Sequence, residues 1–131
     1  MLKIVKLGIN MKKNVALIAH DNLKNNMVEW GRRHINELKN LNLFATGTTG
    51  KRLKDELGLE VSCFKSGPLG GDQQIGSGIA EGKINAVIFF WDPLAPHPHD
   101  VDVKALLRIS VVYNIPMACN EETANLIVKS L

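Results

Sequence analysis

Five apolar runs of strand length alternate with longer stretches of helical period along the chain, and no other feature restricts its fold so strongly. The runs are Val15 to Ala19, Leu41 to Ala45, Val61 to Lys65, Ala86 to Phe90 and Ile115 to Ala118. Each is apolar almost residue by residue, not at alternate positions, so both sides of each strand must be buried. A parallel sheet with helices on both faces provides that burial. The intervening helices are expected from about Asn22 to Lys39, with Met27, Trp30, Ile35 and Leu38 near one face, and over a short stretch carrying Leu53 and Leu57 that stops at Gly58. Three more follow: from near Gln73 to about Gly82, through Ala105, Leu106, Ile109 and Val112, and from Glu121 to Ser130. The expected fold is a single doubly wound, Rossmann-like α/β domain over residues 14–131, with a five-stranded, mainly parallel sheet. Residues 1–13 alternate only weakly, through Leu2, Ile4, Leu7 and Ile9, and read as an edge strand or an N-terminal arm.

At 131 residues such a domain buries about two-thirds of its unfolded surface and needs no disulfide or metal to hold it. Its two cysteines, Cys63 and Cys119, lie in apolar runs and read as free core thiols, which suits a reducing cytoplasm. The formal charge of +3 is carried by lysines scattered among acids, and aromatic residues are too few to form stacking platforms, so no nucleic-acid partner is expected. No run approaches the roughly 18 apolar residues of a membrane span, and the first residues lack a signal-peptide pattern. A soluble cytoplasmic protein with no membrane partner is the expectation.

Open sheets of this kind bind ligands at the carboxyl ends of their strands, near the point where strand order reverses. His20, Thr46 to Thr49, Ser66 to Asp72 and Asp92 to Asp102 each follow a strand, so the fold gathers them into one cleft. The segment Ser66-Gly67-Pro68-Leu69-Gly70-Gly71-Asp72-Gln73-Gln74 is the most informative. Its glycines let backbone amides approach an oxyanion, and the helix after it adds the positive end of its dipole. Asp72 would repel that anion unless it has a task of its own, and the commonest is to take a proton. Thr46, Thr48, Thr49, Ser66 and the loop amides are phosphate donors, with Lys24 as a charge partner. Asp72, Asp92 and Asp102 are candidate acids or bases, and His20 and His99 can donate to a carbonyl or shuttle a proton. Phosphate donors, a carboxylate base and a histidine electrophile are what enolisation of a phosphorylated ketone requires.

Other motifs fall short. Gly47-Thr48-Thr49-Gly50-Lys51 lacks the first glycine of a P-loop, since Ala45 stands there, and its Ser or Thr, since Arg52 does. The G-x-G at Gly76-Ser77-Gly78 lies inside a predicted helix and not at a strand-to-helix turn. His97 and His99, with Asp100 and Asp102, resemble a zinc cluster, but a bare H-x-H without a second cluster is a weak signal, and no metal is assigned.

Collinear segments over about residues 14–128 resemble the methylglyoxal synthase family: Ala16-Leu17-Ile18-Ala19-His20-Asp21, Ala45-Thr46-Gly47-Thr48-Thr49-Gly50, the glycine segment, Asp92-Pro93-Leu94 and Pro98-His99-Asp100-Val101-Asp102-Val103. The resemblance implies a carbon–oxygen lyase that converts dihydroxyacetone phosphate to methylglyoxal and inorganic phosphate, with no metal or organic cofactor. It implies that Asp72 is the base, that His99 polarises the carbonyl, and that Asp102 and Asp92 support it. His20, Lys24, Thr46, Gly47, Thr48, Thr49, Ser66 and Gly67 match substrate-binding positions. A homohexamer, with phosphate as product and possible inhibitor, follows from the same resemblance, although members usually continue beyond the position of Leu131. His34 reads as a helix-surface or interface histidine, Trp30, Arg108 and Trp91 as core, interface and cleft-wall residues, Asp21 as a helix N-cap and Asp100 as a loop or cap carboxylate. Two other classes compete. An effector-binding domain needs the phosphate cradle but not the acids, and a receiver domain needs an aspartate ending the third strand, where Lys65-Ser66 stand.

Overall fold

β1 (Asn14–Ala19) runs through the middle of a sheet in which it pairs in parallel with β2 (Asn42–Thr46) on one side and β4 (Ala86–Phe90) on the other. β3 (Val61–Phe64) and β5 (Met117–Ala118) complete the order β3-β2-β1-β4-β5, and all four pairings are parallel. The computed structural model describes residues 12–66, 69–94 and 103–131. Side chains alternate across each strand, so the two faces of the central strand feed separate cores. Val15, Leu17 and Ala19 join a core with Met27, Trp30, Leu38, Leu53 and Ala124, whereas Ala16 and Ile18 join one with Ile75, Ile79, Ile84 and Leu106.

The helices that close the first core are α1 (Lys24–Arg33), the one-turn α2 (Ile35–Leu38), α3 (Gly47–Leu57) and α6 (Glu121–Ser130); α4 (Gly71–Ala80) and α5 (Val103–Val112) close the second. The doubly wound expectation is met, and the sheet is wholly parallel. Strand and helix limits shift in places. Lys65 falls outside β3, and Ile115 lies outside the two-residue β5. Thr46-Gly47-Thr48-Thr49-Gly50 is not a loop before a helix: the strand runs into the helix at Gly47, with Thr46 at the N-cap.

The single helix expected from Asn22 to Lys39 divides. A 3-10 turn over Asp21–Leu23 precedes α1, and His34, at φ −112° and ψ 26°, separates α1 from α2. A tertiary clamp accounts for that break: Asn125 Oδ1 on α6 accepts from Trp30 Nε1 at 2.8 Å and lies 3.1 Å from His34 Nε2. His34 is therefore a half-buried structural residue and not a helix-surface one. Asp21 lies inside the first turn, one residue past the cap position, and its carboxylate takes Lys24. The cysteines also depart from expectation. Both are free, but Cys63 is exposed because β3 is an edge strand, and Cys119 is only half-buried beyond the end of β5. Of residues 1–13, Lys12 and Lys13 are outside any strand and the rest lie outside the described residues.

Candidate active site

The order in which strands are added reverses across the parallel β1–β4 pair: from β1 it runs outward through β2 to β3, then returns to β4 and on to β5. The crevice of an open sheet forms above such a point. His20 follows β1 there and is 5% exposed, its ring set edge-on against Phe89 at 5.1 Å. Its backbone N–H donates to the Phe90 carbonyl, and Asp92 N–H donates to its Nδ1 at 3.1 Å. An Nδ1 that accepts carries no proton in the neutral ring, so the imidazole presents Nε2–H as its donor. The Asp92 carboxylate is itself oriented, accepting from Leu94 N–H at 3.0 Å through one oxygen and from Asn22 Nδ2 at 3.1 Å through the other.

Next in the row is the start of α3. Lys24 Nζ donates to Thr48 Oγ1 at 2.6 Å and to Asp21 Oδ1 at 2.7 Å, tying the turn after β1 to the end of β2. Thr46 and Thr49 are buried, and Thr49 Oγ1 has no hydrogen-bond partner among the described residues. Gly47, at φ +38°, lies so close to Ser66 that an added Cβ would stand 3.1 Å from the Ser66 Cβ and 3.2 Å from its Cα. The first turn of α3 and the residue that opens the glycine segment are therefore in direct contact.

Ser66 O accepts from Leu69 N–H at 3.0 Å and Gly71 N–H at 2.9 Å, which folds the glycine segment back onto the end of β3. Asp72 then sits in the first turn of α4, half-buried, with one carboxylate oxygen accepting from Gln73 N–H at 2.9 Å. Among the described residues its other oxygen takes no hydrogen bond. The structure thus brings His20, Lys24, Thr46, Gly47, Thr48, Thr49, Ser66, Asp72 and Asp92 to one edge of the sheet. Gly67, His99 and Asp102, with His97 and Asp100, lie outside the described residues.

A cavity of about 700 Å³ opens elsewhere, at the amino ends of β2 and β3, lined by Lys12, Asn14, Leu41, Asn42, Leu59 and Glu60. Its lining holds neither histidine nor aspartate, and it faces away from the strand ends that carry the acid–base groups. Volume does not locate the chemistry here. A smaller one of about 180 Å³ lies at the carboxyl ends of β4 and β5, where Trp91 forms part of the wall with Leu23, Phe90 and Cys119. Burial pushes the Cys119 thiol up, so it remains protonated and a poor nucleophile near neutral pH. Sequence reasoning missed Asn22, whose only signal is its place in the turn after β1. It also gave no role to Gln74, whose side chain meets the backbone of Lys65.

Residues 26–119 match the MGS-like domain family. Methylglyoxal synthase of Pseudoalteromonas atlantica is 58% identical over 120 residues, which cover 92% of this chain and 89% of the relative. That of Leptospira interrogans serovar copenhageni is 58% identical over 118 residues, covering 90% of this chain and 80% of the relative. The crystal structure of methylglyoxal synthase from Elizabethkingia anophelis NUHP1 superposes with a TM-score of 0.87 at 54% identity, over 89% of this chain and 77% of that one. Taken with the parallel sheet and the loops gathered at its carboxyl edge, these matches place the chain in the methylglyoxal synthase family.

Proposed function

We propose that this chain converts dihydroxyacetone phosphate to methylglyoxal and inorganic phosphate in the crevice at the carboxyl ends of β1 to β4. The observation that carries the reading is the contact between the first turn of α3 and the glycine segment, which sets a row of phosphate donors beside the turn that carries Asp72. The phosphate lies against Lys24, Thr46 to Thr49, Ser66 and Gly67, at the positive end of α3. Thr49 Oγ1, buried and without a hydrogen-bond partner among the described residues, supports a polar guest, because such a hydroxyl left unpaired costs about 1–3 kcal/mol.

Asp72 takes a proton from the hydroxymethyl carbon, and the electron pair moves into the carbonyl to give an enediolate. His99 donates to that oxygen, with Asp102 and Asp92 supporting it, and His20 is held among the substrate-binding residues. His99 moves the proton of the hydroxymethyl oxygen to the former carbonyl oxygen, and the oxyanion left behind becomes the aldehyde carbonyl as its electrons expel phosphate with breaking of the carbon–oxygen bond. Protonation of the resulting enol at the former phosphoester carbon gives methylglyoxal. Elimination requires the bond to phosphate to stand out of the enediolate plane, so the grip on phosphate selects lyase over isomerase chemistry. Purified protein incubated with dihydroxyacetone phosphate is expected to release methylglyoxal and phosphate in equal amounts; folded protein that forms neither rejects the assignment.

The protein assembles as a homohexamer in this proposal, and the feature that supports association is α5. It turns Val111 and Val112 outward at 78% and 66% exposure, beside Leu107 and Tyr113. Light scattering is expected to give six times the 14.4 kDa protomer mass, and a monomer at all concentrations rejects the assembly. Among the described residues no helix is long and apolar enough to cross a membrane. The proposed location is the cytoplasm, with inorganic phosphate acting as product and inhibitor.

A further inference from the structure

We propose that Gln74 is a positioning residue for proton abstraction, holding Asp72 at the crevice through the backbone of Lys65; this rests on the assignment of Asp72 as the base. β3 is an edge strand whose ladder with β2 ends at Phe64, so the Lys65 N–H leaves the sheet without a strand partner. Gln74 Oε1 accepts it at 2.7 Å. Only an oxygen can accept there, which fixes the orientation of the side-chain amide. The carbonyl of the same residue packs against Gly71, where an added Cβ would overlap its oxygen. Lys65 is therefore held from both sides by the first turn of α4: Gly71 on one, Gln74 on the other.

Asp72 lies between these two fixed points. Gln74 also donates its own N–H to the Gly70 carbonyl at 3.0 Å, so one residue closes the helical turn and the strand-to-helix junction together. The base consequently moves only if the Gln74 bond or the Gly71 contact gives way. A carboxylate that must meet a carbon-bound proton is sensitive to such play, because misplacement by about 1 Å costs on the order of a hundredfold in rate. Most of the proposed phosphate donors, Lys24 and Thr46 to Thr49, stand on other elements, and Ser66 keeps its own bonds from Leu69 and Gly71 N–H.

The test is Gln74→Met, which keeps length and loses the acceptor. Steady-state kinetics are expected to show kcat lower by about 10- to 100-fold with KM and phosphate affinity little changed. The kinetic isotope effect with substrate deuterated at the hydroxymethyl carbon should grow, since proton abstraction becomes more fully rate-limiting. Hydrogen exchange at the Lys65 amide should become faster. An unchanged kcat, a fall in kcat without growth of the isotope effect, or undiminished protection of the Lys65 amide would each overturn the proposal. Wild-type protein that forms no methylglyoxal overturns the lyase assignment and the catalytic half of the proposal with it, whereas the amide exchange reports the Gln74 bond independently of turnover.

Discussion

Asp72→Asn is expected to lower kcat for methylglyoxal formation by about 10³-fold while leaving phosphate affinity equal to or slightly tighter than in the wild type. The substitution removes the basic lone pair and little else. Asn retains an oxygen that accepts from Gln73 N–H, the hydrogen bond that orients the Asp72 side chain among the described residues, so the first turn of α4 is preserved. Removing a general base costs about 10²–10⁴-fold, or on the order of 3–5 kcal/mol at 1.36 kcal/mol per decade. Phosphate has no reason to bind less tightly, because a carboxylate near an oxyanion repels it and Asn does not. The pair of readouts also separates enzyme from effector-binding module. In a module that only cradles phosphate there would be no turnover to lose, and Asp72 would act solely as a repulsive charge. Turnover within tenfold of the wild type would remove Asp72 from the base role.

The core and strand order of this fold follow from different kinds of information. β1 and β4 are legible because every residue of Val15 to Ala19 and of Ala86 to Phe90 is buried, and continuous apolarity is the signature of two covered faces. The limits of β3 are less legible, since an edge strand is covered less completely: Ser62 and Cys63 are exposed and Lys65 lies beyond the ladder. Apolar identity therefore overstated the burial of Cys63. The interruption at His34 had no local signal, because it is made by Asn125, 91 residues away. Periodicity along one helix cannot report a bond to another.

At the site, residue type revealed which groups were present but not how they are coupled. Thr48 and Lys24 could each be named as a phosphate ligand from the sequence, yet the 2.6 Å bond between them joins the first turns of α1 and α3, which follow different strands. The same holds for His20, whose tautomer is set by the backbone of Asp92, 72 residues away. A carboxylate at position 92 suggests a partner for an imidazole, but here it is the amide of Asp92 that reaches the ring, while the carboxylate faces Asn22 and Leu94. Asp92 thus contributes by holding a second group in place as well as by its charge. The tight turn that does this is the kind of local backbone detail that composition and spacing do not encode.

Gly71→Ala is expected to lower kcat by about 10²-fold or more and to weaken the fold around α4, whereas Gly70→Ala lowers stability with far less effect on turnover. The two glycines are adjacent but required for different reasons. Gly70 has φ +105°, a conformation that costs a residue with a side chain about 1–2 kcal/mol, yet an added Cβ there would meet only Gln73 Oε1 at 3.8 Å. Gly71 is not in a left-handed conformation. Its constraint is contact: a Cβ would stand 2.9 Å from the Lys65 carbonyl carbon and 3.0 Å from that of Ser66, and would overlap the Lys65 oxygen between them. These are backbone atoms, so no rotamer change relieves the clash. A carbon and a carbonyl oxygen need roughly 3.3 Å, and the junction must open by on the order of an ångström to provide it. That movement breaks the Gly71 N–H bond to Ser66 O and displaces the turn carrying Asp72, on the side of the crevice that must meet the substrate carbon. Thermal melts, phosphate calorimetry and kcat measured on both variants separate the effects. Gly70→Ala should melt lower but turn over, while Gly71→Ala should lose turnover even where it remains folded and binds phosphate. Equal turnover in the two variants would mean that Gly71 serves the chain only as a turn, and that the position of Asp72 is fixed by something other than the close approach of α4 to Lys65.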